Sequence, residues 1–450
     1  SHWPAARSML IFCGAGNNGG DGFVIARLAR AENWQVEVLQ LGDTGQMSAD
    51  ARQARAAFES AGGSINLFTA DVPITADIVV DALLGTGVDR PLADAWRAAV
   101  ECINAAAAPV LAVDIPSGLH ADTGAALGAA VRADRTVTFI GRKPGLYTGA
   151  GPDYAGEITF TGLAVPDSVY QQVPASAELR RQPLLGVLAQ PRSRSAHKGK
   201  HGHVLVIGGD QGMVGAVRLA GEAALRSGAG LVSLATRPEH AVELAAASPE
   251  LMCHGVTTAL ELKALIKSAT VLLVGPGLGQ SAWAQSLLAA VLEASQPLVI
   301  DADALNLLAR EPVRGEHRVL TPHPGEAARL LKTDSAIIQR DRFAAAAAIS
   351  DQYGGTTVLK GAGTVIHTRS DLPVVCAAGN PGMATAGMGD VLSGVIAALI
   401  AQGLSVPEAA AGGVCVHACA GDVAAQQGER GMTARDVIAV LREVLNGTSR

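Results

Sequence analysis

The sequence predicts an α/β protein built from two parallel-sheet domains, and three observations carry that prediction. Short apolar runs of strand length alternate with helical patterns through both halves of the 450-residue chain, which implies parallel sheets covered on both faces. Glycine-rich loops stand where a strand hands over to a helix. Near the middle, Pro166, Pro174, Pro183 and Pro191 interrupt the rhythm.

The length suggests two to three domains, each large enough for its own core. The chain is rich in Ala and Gly, with 3% aromatic and 17% charged residues, which points to a close-packed α/β enzyme rather than a disordered chain. A net charge of −6 gives no basic field for nucleic acid or a membrane surface. The longest apolar runs, such as Ala105 to Val113, fall far short of the ~20 residues of a membrane span. Six cysteines without CxxC spacing read as reduced thiols of a cytoplasmic protein. Nothing at the start resembles a signal peptide.

In the first half, strands are expected at Met9–Cys13, Gln35–Leu39, Ile78–Asp81, Val110–Asp114 and Arg135–Phe139. Helices such as Gly22–Ala31 and Ala49–Ala61 lie between them. Residues 1–175 form the first domain by this reading, and 176–196 a connection. The connection ends in a basic tail of Arg192, Arg194, His197, Lys198 and Lys200. Residues 197–450 form the second domain. Its strands are expected at His203–Ile207, Leu231–Ala235, Val271–Val274, Leu298–Asp301, Arg318–Leu320, Thr357–Lys360 and Thr364–Ile366. Its helices are expected at Ala216–Arg226, Ala282–Glu293, Ala304–Ala309, Pro324–Leu331, Asp341–Tyr353, Val391–Gln402 and Pro407–Gln427. The loops of the two halves do not match, so the chain is not a repeat.

Gly14-Ala15-Gly16-Asn17-Asn18-Gly19 fits GxGxxG between a strand and a helix, the weak mark of a Rossmann-like, three-layer domain. Asp21 argues against ordinary dinucleotide binding, because it would repel pyrophosphate from the helix amides. Asn17, Asn18 and Asp21 suit a polar pocket for a sugar, an amide or a cation. Asp81 and Asp114 end later strands, and neighbouring strand ends converge on one crevice in open α/β sheets. Asn18, Asp81 and Ser117 could ligate a hard cation, a monovalent ion fitting as well as Mg²⁺. Asp114 is then free to act as acid or base. The plainer alternative is that each Asp merely caps or turns its own loop.

Asn17-Asn18-Gly19-Gly20-Asp21-Gly22, the loop Asp81 to Pro91 and Val113-Asp114-Ile115-Pro116-Ser117-Gly118 together resemble the NAD(P)H-hydrate epimerase domain in order and spacing. The resemblance implies that the hydrated nucleotide is contacted by Asn17, Asn18, Gly19, Gly20, Asp21, Gly85, Thr86, Gly87, Val88, Asp89, Arg90, Pro91 and Asp114. It implies a potassium ion on Asn18, Asp81 and Ser117, with Asp114 catalytic. Family members carry a helical segment before the first strand, and almost none of it is present here. That departure predicts a trimmed or impaired epimerase half.

In the second half, Asn380-Pro381-Gly382-Met383-Ala384-Thr385-Ala386-Gly387-Met388-Gly389-Asp390 runs straight into an apolar helix. Free amides at a helix start attract an anion, and small residues let it approach. Asp390 beside a phosphate costs binding unless it removes a proton from the hydroxyl that attacks that phosphate. The alternative is a simple helix cap. Gly208 to Ala216 and Gly275 to Gly279 are further glycine loops. Asp301-Ala302-Asp303 ends a strand with two acids, and His323 stands between two prolines. Lys360 offers a cation to a nucleotide phosphate, or is a solvated strand-end charge. No GxxxxGK[ST] motif is present, so this is not a P-loop enzyme.

These segments resemble the ADP-dependent NAD(P)H-hydrate dehydratase domain, which has a ribokinase-like fold. The resemblance implies ADP held by Lys360, Gly361, Ala362, Gly363, Thr364 and Gly389. It implies the hydrated substrate contacted by Ala216, Gly277, His323 and Asp390, with Asp390 catalytic, Mg²⁺ at the phosphates and assembly into a homo-oligomer. The expected activities are epimerisation of R and S NAD(P)H hydrates and ADP-driven dehydration of the S form. One rival is a ribokinase-like kinase for a vitamin or sugar alcohol, its N-terminal half a non-catalytic nucleotide-binding module.

Overall fold

The structure is a computed structural model that describes residues 2–183, 186, 192–369 and 371–447. Two compact units divide the chain at Ser1–Ala175 and Ser176–Arg450.

The first unit is built on β1 (Ser8–Cys13), β2 (Gln35–Gln40), β3 (Ile65–Leu67), β4 (Ile78–Ala82), β5 (Val110–Val113), β6 (Arg135–Phe139) and β7 (Glu157–Thr161). They form one sheet in the order β3-β2-β1-β4-β5-β6-β7, parallel throughout. Alternation along β1 divides the core: Ile11 and Cys13 join Phe23 and Phe58 on one face, while Leu10 and Phe12 join Val100 and Ile103 on the other. α1 (Asn17–Ala31) and α2 (Ala49–Ser60) pack over the first face, and α3 (Asp94–Asn104) covers the second. Sheet order reverses at β1, so the crevice beyond the ends of β1 and β4 is the natural place for a site.

The second unit carries a sheet in the order β11-β10-β9-β12-β13-β14-β15-β16-β17-β8. Its members are β8 (Glu178–Arg180), β9 (His203–Ile207), β10 (Leu231–Thr236), β11 (Met252–Gly255), β12 (Val271–Val274), β13 (Leu298–Ile300), β14 (Arg318–Leu320), β15 (Thr356–Leu359), β16 (Thr364–Thr368) and β17 (Val374–Cys376). Only the β15–β16 and β16–β17 pairs are antiparallel. Val204 and Val206 of β9 face the core under α6 (Val214–Arg226), α14 (Met388–Ala401), α15 (Val406–Ala424) and α16 (Ala434–Leu445). Leu205 and Ile207 face the opposite core. That core lies under α8 (Ala259–Ile266), α9 (Ala282–Leu292), α10 (Ala302–Arg310), α11 (Pro324–Leu331), α12 (Ser335–Arg340) and α13 (Arg342–Tyr353).

Three expectations need correction. The segment taken as a connection carries β8, which pairs with β17 through Val374 and Glu178 and so belongs to the second sheet; Pro191 of that segment lies outside the described residues. α1 starts at Asn17 rather than Gly22, so the Asn-Asn-Gly-Gly-Asp run is the helix's first turn. α14 starts at Met388 rather than Val391, which makes Asp390 its third residue. No helix among the described residues is long and apolar enough to cross a membrane.

Candidate active sites

In the first unit the crevice gathers Asn18, Asp81, Ser117 and Gly85 around the backbone of Leu84. Asn18 Nδ2 donates to Leu84 O at 3.0 Å, and a Cβ on Gly85 would lie 3.4 Å from that of Asn18. Ser117 Oγ donates to Asp81 Oδ1 at 2.6 Å and accepts from Leu84 N at 2.9 Å. Ser117 N donates to Asp81 Oδ2 at 2.8 Å. Asp81 is fully buried. Burial pushes its carboxyl up to about 6, against the pull of the hydrogen bonds from Ser117 and Leu83. Among the described residues no cationic side chain pairs with it.

Asp114 stands one residue past β5 in a left-handed conformation, φ 69°. That strain is tolerated because the carboxylate is fixed from several sides. Its Oδ1 accepts from Phe139 N at 3.0 Å and Thr138 Oγ1 at 3.2 Å, and it pairs with Lys143 Nζ. Lys143 also donates to Phe139 O at 2.9 Å. Asp21 faces the same crevice, its carboxyl raised by burial and by the charge of Asp114. Asn17 Oδ1 instead accepts from Ser48 Oγ at 2.5 Å, the residue that caps α2. Thr86 and Gly87 are exposed, as are Asp89, Arg90 and Pro91, while Val88 is half-buried. Among the described residues no bond joins those side chains to Asp81 or Asp114.

In the second unit the charged groups converge under the start of α14. Gly387 is the N-cap, at φ 87°, and no side chain caps the helix, so Asp390 is not the cap. A Cβ on Gly389 would lie 3.1 Å from Lys360 Nζ and 3.8 Å from Asp301 Oδ2. Lys360 Nζ is 2.9 Å from Asp301 Oδ1 and 3.8 Å from Glu326 Oε2. Burial opposes the Lys360 charge, but Asp301, Glu326 and Asp390 outweigh it and hold the ammonium above its ordinary range. Burial and then the Asp301 charge push the Asp390 carboxyl up to about 7, with Lys360 opposing. That places Asp390 where a general base at neutral pH belongs.

Asp301 is 1% exposed. Its Oδ1 also accepts from Thr321 Oγ1 at 2.7 Å, while its buried Oδ2 has no hydrogen-bond partner. His323 is the N-cap of α11: its Nδ1 accepts from Gly325 N at 3.0 Å and Glu326 N at 3.4 Å. Glu326 Oε2 accepts from His323 N at 2.8 Å, closing a capping box. With Nδ1 an acceptor, neutral His323 carries its proton on Nε2 and can donate it outward. Gly277, at φ 58°, would bring a Cβ within 3.2 Å of Ala216 Cβ and 2.4 Å of Met213 O, so these two predicted residues adjoin. One turn beyond Ala216, Leu219 touches Gly387, which ties that corner to the start of α14.

The Lys360–Thr364 turn joins antiparallel β15 and β16. Arg342 props it from below, donating to Leu359 O at 2.9 Å and Lys360 O at 3.2 Å. Gly361 has φ 141°, and a Cβ there would meet Arg342 Nη1 at 3.0 Å. Sequence reasoning gave no role to Lys143, Asp301, Glu326 or Arg342. Asp301 and Glu326 could have been singled out from their strand-end and capping positions; Lys143 and Arg342 leave no local signal.

A family model described as NAD(P)H-hydrate dehydratase matches residues 204–443. One described as YjeF-related protein N-terminus matches residues 1–145. The bifunctional NAD(P)H-hydrate repair enzyme of Coxiella burnetii is 48% identical over 99% of this chain and 92% of its own length. Among solved structures, a ribokinase-like superfamily protein from Enterococcus faecalis is 30% identical with a TM-score of 0.56, covering 61% of this chain and 97% of its own. The ADP/ATP-dependent NAD(P)H-hydrate dehydratase from Bacillus subtilis, co-crystallised with ATP/Mg²⁺, is 27% identical with a TM-score of 0.53, covering 57% and 94%.

Proposed function

The chain belongs to the bifunctional NAD(P)H-hydrate repair enzyme family, and from that premise we propose how its two sites divide the work. The chain repairs damaged nicotinamide nucleotides: the first unit interconverts R and S hydrates, and the second dehydrates the S form with ADP as co-substrate.

In the second unit Asp390 takes the proton of the ring hydroxyl. The freed oxygen bonds to the β-phosphorus of ADP, and the bond to AMP breaks. The C–O bond then breaks, phosphate leaves, and loss of the neighbouring C–H proton restores the ring double bond. The products are NAD(P)H, AMP and phosphate. Phosphorylation replaces a poor leaving group with a good one. Lys360 and the turn from Gly361 through Ala362 and Gly363 to Thr364 hold ADP, whose phosphate lies over Gly389. Ala216, Gly277 and His323 flank the nicotinamide end. The observation that carries this reading is Asp390 in the first turn of α14, next to the Lys360–Asp301 pair and with its carboxyl raised to about 7.

Mg²⁺ fits here: the unpartnered Asp301 Oδ2 supplies one hard oxygen near Gly389, and this ion commonly takes one or two carboxylates plus phosphate oxygens. Bound there, it would neutralise phosphate charge.

In the first unit Asp114 is the residue placed to move the proton during epimerisation, directly or through water, with Lys143 fixing its carboxylate. The fully buried Asp81, without a cationic side-chain partner, together with Ser117 and Asn18 fits a potassium ion better than Mg²⁺, since one carboxylate and neutral oxygens suit a weakly charged hard cation. The substrate end is framed by Asn17 to Asp21 and Gly85 to Pro91. Six free thiols fit a reducing, cytoplasmic setting. A homo-oligomer is proposed from the family resemblance alone.

The test is recovery of absorbance at 340 nm from mixed R and S NADH hydrate plus Mg²⁺, with ADP, with ATP or with neither. Full recovery with ADP is expected. Recovery halting at the S fraction would remove the epimerase, and no recovery with either nucleotide would favour a small-molecule kinase.

A further inference from the structure

A cleft of about 470 Å³ is lined by Gln280, Asn306, Ala309, Arg310 and Arg329, and none of these has a role in the reading above. Two guanidiniums share it. Arg310 donates to Gln280 Oε1, and Arg329 Nε donates to Asn306 Oδ1 at 2.6 Å. Both partners are neutral amide oxygens, and among the described residues neither arginine forms an ion pair. The acids nearest along the same two helices are committed elsewhere. Asp303 Oδ2 accepts from Gly279 N at 2.9 Å, and Glu326 Oε2 accepts from His323 N at 2.8 Å. The amide oxygens therefore orient two planar cations without neutralising them. That arrangement suits bidentate capture of a phosphate rather than a structural ion pair.

The cleft is continuous with the proposed dehydration site on two sides. Gln280 follows directly on the Gly275–Gly279 loop, whose Gly277 adjoins Ala216. Arg329 lies one turn after Glu326 on α11, and its Nη1 is 3.9 Å from where a Cβ on Gly325 would stand, beside His323. A nicotinamide dinucleotide is far longer than its reactive ring. With the ring between His323 and Asp390, the phosphate-bearing remainder must leave past one of these loops. The volume suits a phosphate-and-ribose fragment.

We propose that Arg310 and Arg329 bind a phosphate group of the dinucleotide substrate, its diphosphate or its 2′-phosphate, and so set the affinity for the hydrate without taking part in the chemistry. This rests on the dehydratase reading of the second unit. The test compares R310Q, R329Q and the double variant with the wild type. It uses steady-state dehydration of S-NADH hydrate and S-NADPH hydrate, and calorimetric titration with NADH and NADPH as unreactive probes. The double variant should raise KM for hydrate at least tenfold, with kcat and the KM for ADP within twofold. It should weaken the titrated binding in parallel. An equal loss for both nucleotides assigns the diphosphate; a loss confined to NADPH and its hydrate assigns the 2′-phosphate. Unchanged hydrate KM and unchanged NADPH binding would overturn the proposal, as would an equal rise in the KM for ADP. The titration decides even if the wild type dehydrates neither hydrate, a result that would fall on the dehydratase reading instead. Both side chains are exposed, so the single variants remain available should the double one misfold.

Discussion

Lys360 Nζ stands 2.9 Å from Asp301 Oδ1, directly beneath Gly389 and one residue from Asp390. The pair does two things at once. Asp301 holds the ammonium where a phosphate over Gly389 would meet it, and its charge keeps the Asp390 carboxyl high.

Asp301→Asn therefore separates those effects. Lys360 loses its anchor, so the KM for ADP should rise at least fivefold. Asp390 loses a like-charged neighbour, so the acid limb of kcat/KM should move to lower pH. A simple packing defect would lower activity without moving that limb. The pH profile of the variant checks this.

The wild-type profile has its own sign. A base must be ionised, so with Asp390 at about 7 kcat/KM for dehydration should climb about tenfold per pH unit below that value and level off above it. Rates measured between pH 5 and 9 at constant ionic strength check this. A flat profile across pH 6 to 8 would detach the reaction from Asp390.

Asp114→Asn should slow epimerisation by at least a hundredfold while leaving dehydration of purified S hydrate unchanged, since the two groups lie in separate compact units. Chiral separation of the hydrates over time, beside the absorbance assay, checks both halves of this statement.

Asp81 gives a stability prediction. Its carboxyl is raised from 3.8 to about 6 by burial, so the folded state holds the proton more tightly than the unfolded chain. That stability is fully present below about pH 4 and is lost as pH rises through about 6. The loss is on the order of 3 kcal/mol without a cation. In potassium-free buffer the first unit should melt lower at pH 7 than at pH 5. Potassium should restore it, and Asp81→Asn should remove both effects. Calorimetry with potassium or a large organic cation checks this.

Much of this was legible in the sequence, and the reasons are local. Strands such as His203–Ile207 and Val271–Val274 are short, continuous apolar runs, which only a sheet buried on both faces accommodates. The glycine loops and strand-end acids mark the two crevices because parallel strands must deliver their ends to one edge. What stayed hidden depends on distance along the chain. Glu178–Arg180 has no strand signature of its own and becomes β8 only by pairing with β17, almost two hundred residues on. The Lys143 partner of Asp114 arrives from a separate loop, and Arg342 reaches the Lys360 turn from a helix face. Helix starts were misplaced because Asn17-Asn18-Gly19-Gly20 and Met388-Gly389 read as loop by composition, whereas packing extends α1 and α14 through them.

The central claim is that Asp390 is the base of dehydration. The most direct measurement is the dehydration rate of Asp390→Asn at saturating ADP, taken with calorimetric binding of ADP to the same variant. The account predicts near-unchanged ADP affinity with the rate reduced at least a hundredfold. A variant that keeps more than about a tenth of the wild-type rate, a barrier change under ~1.4 kcal/mol, would contradict it.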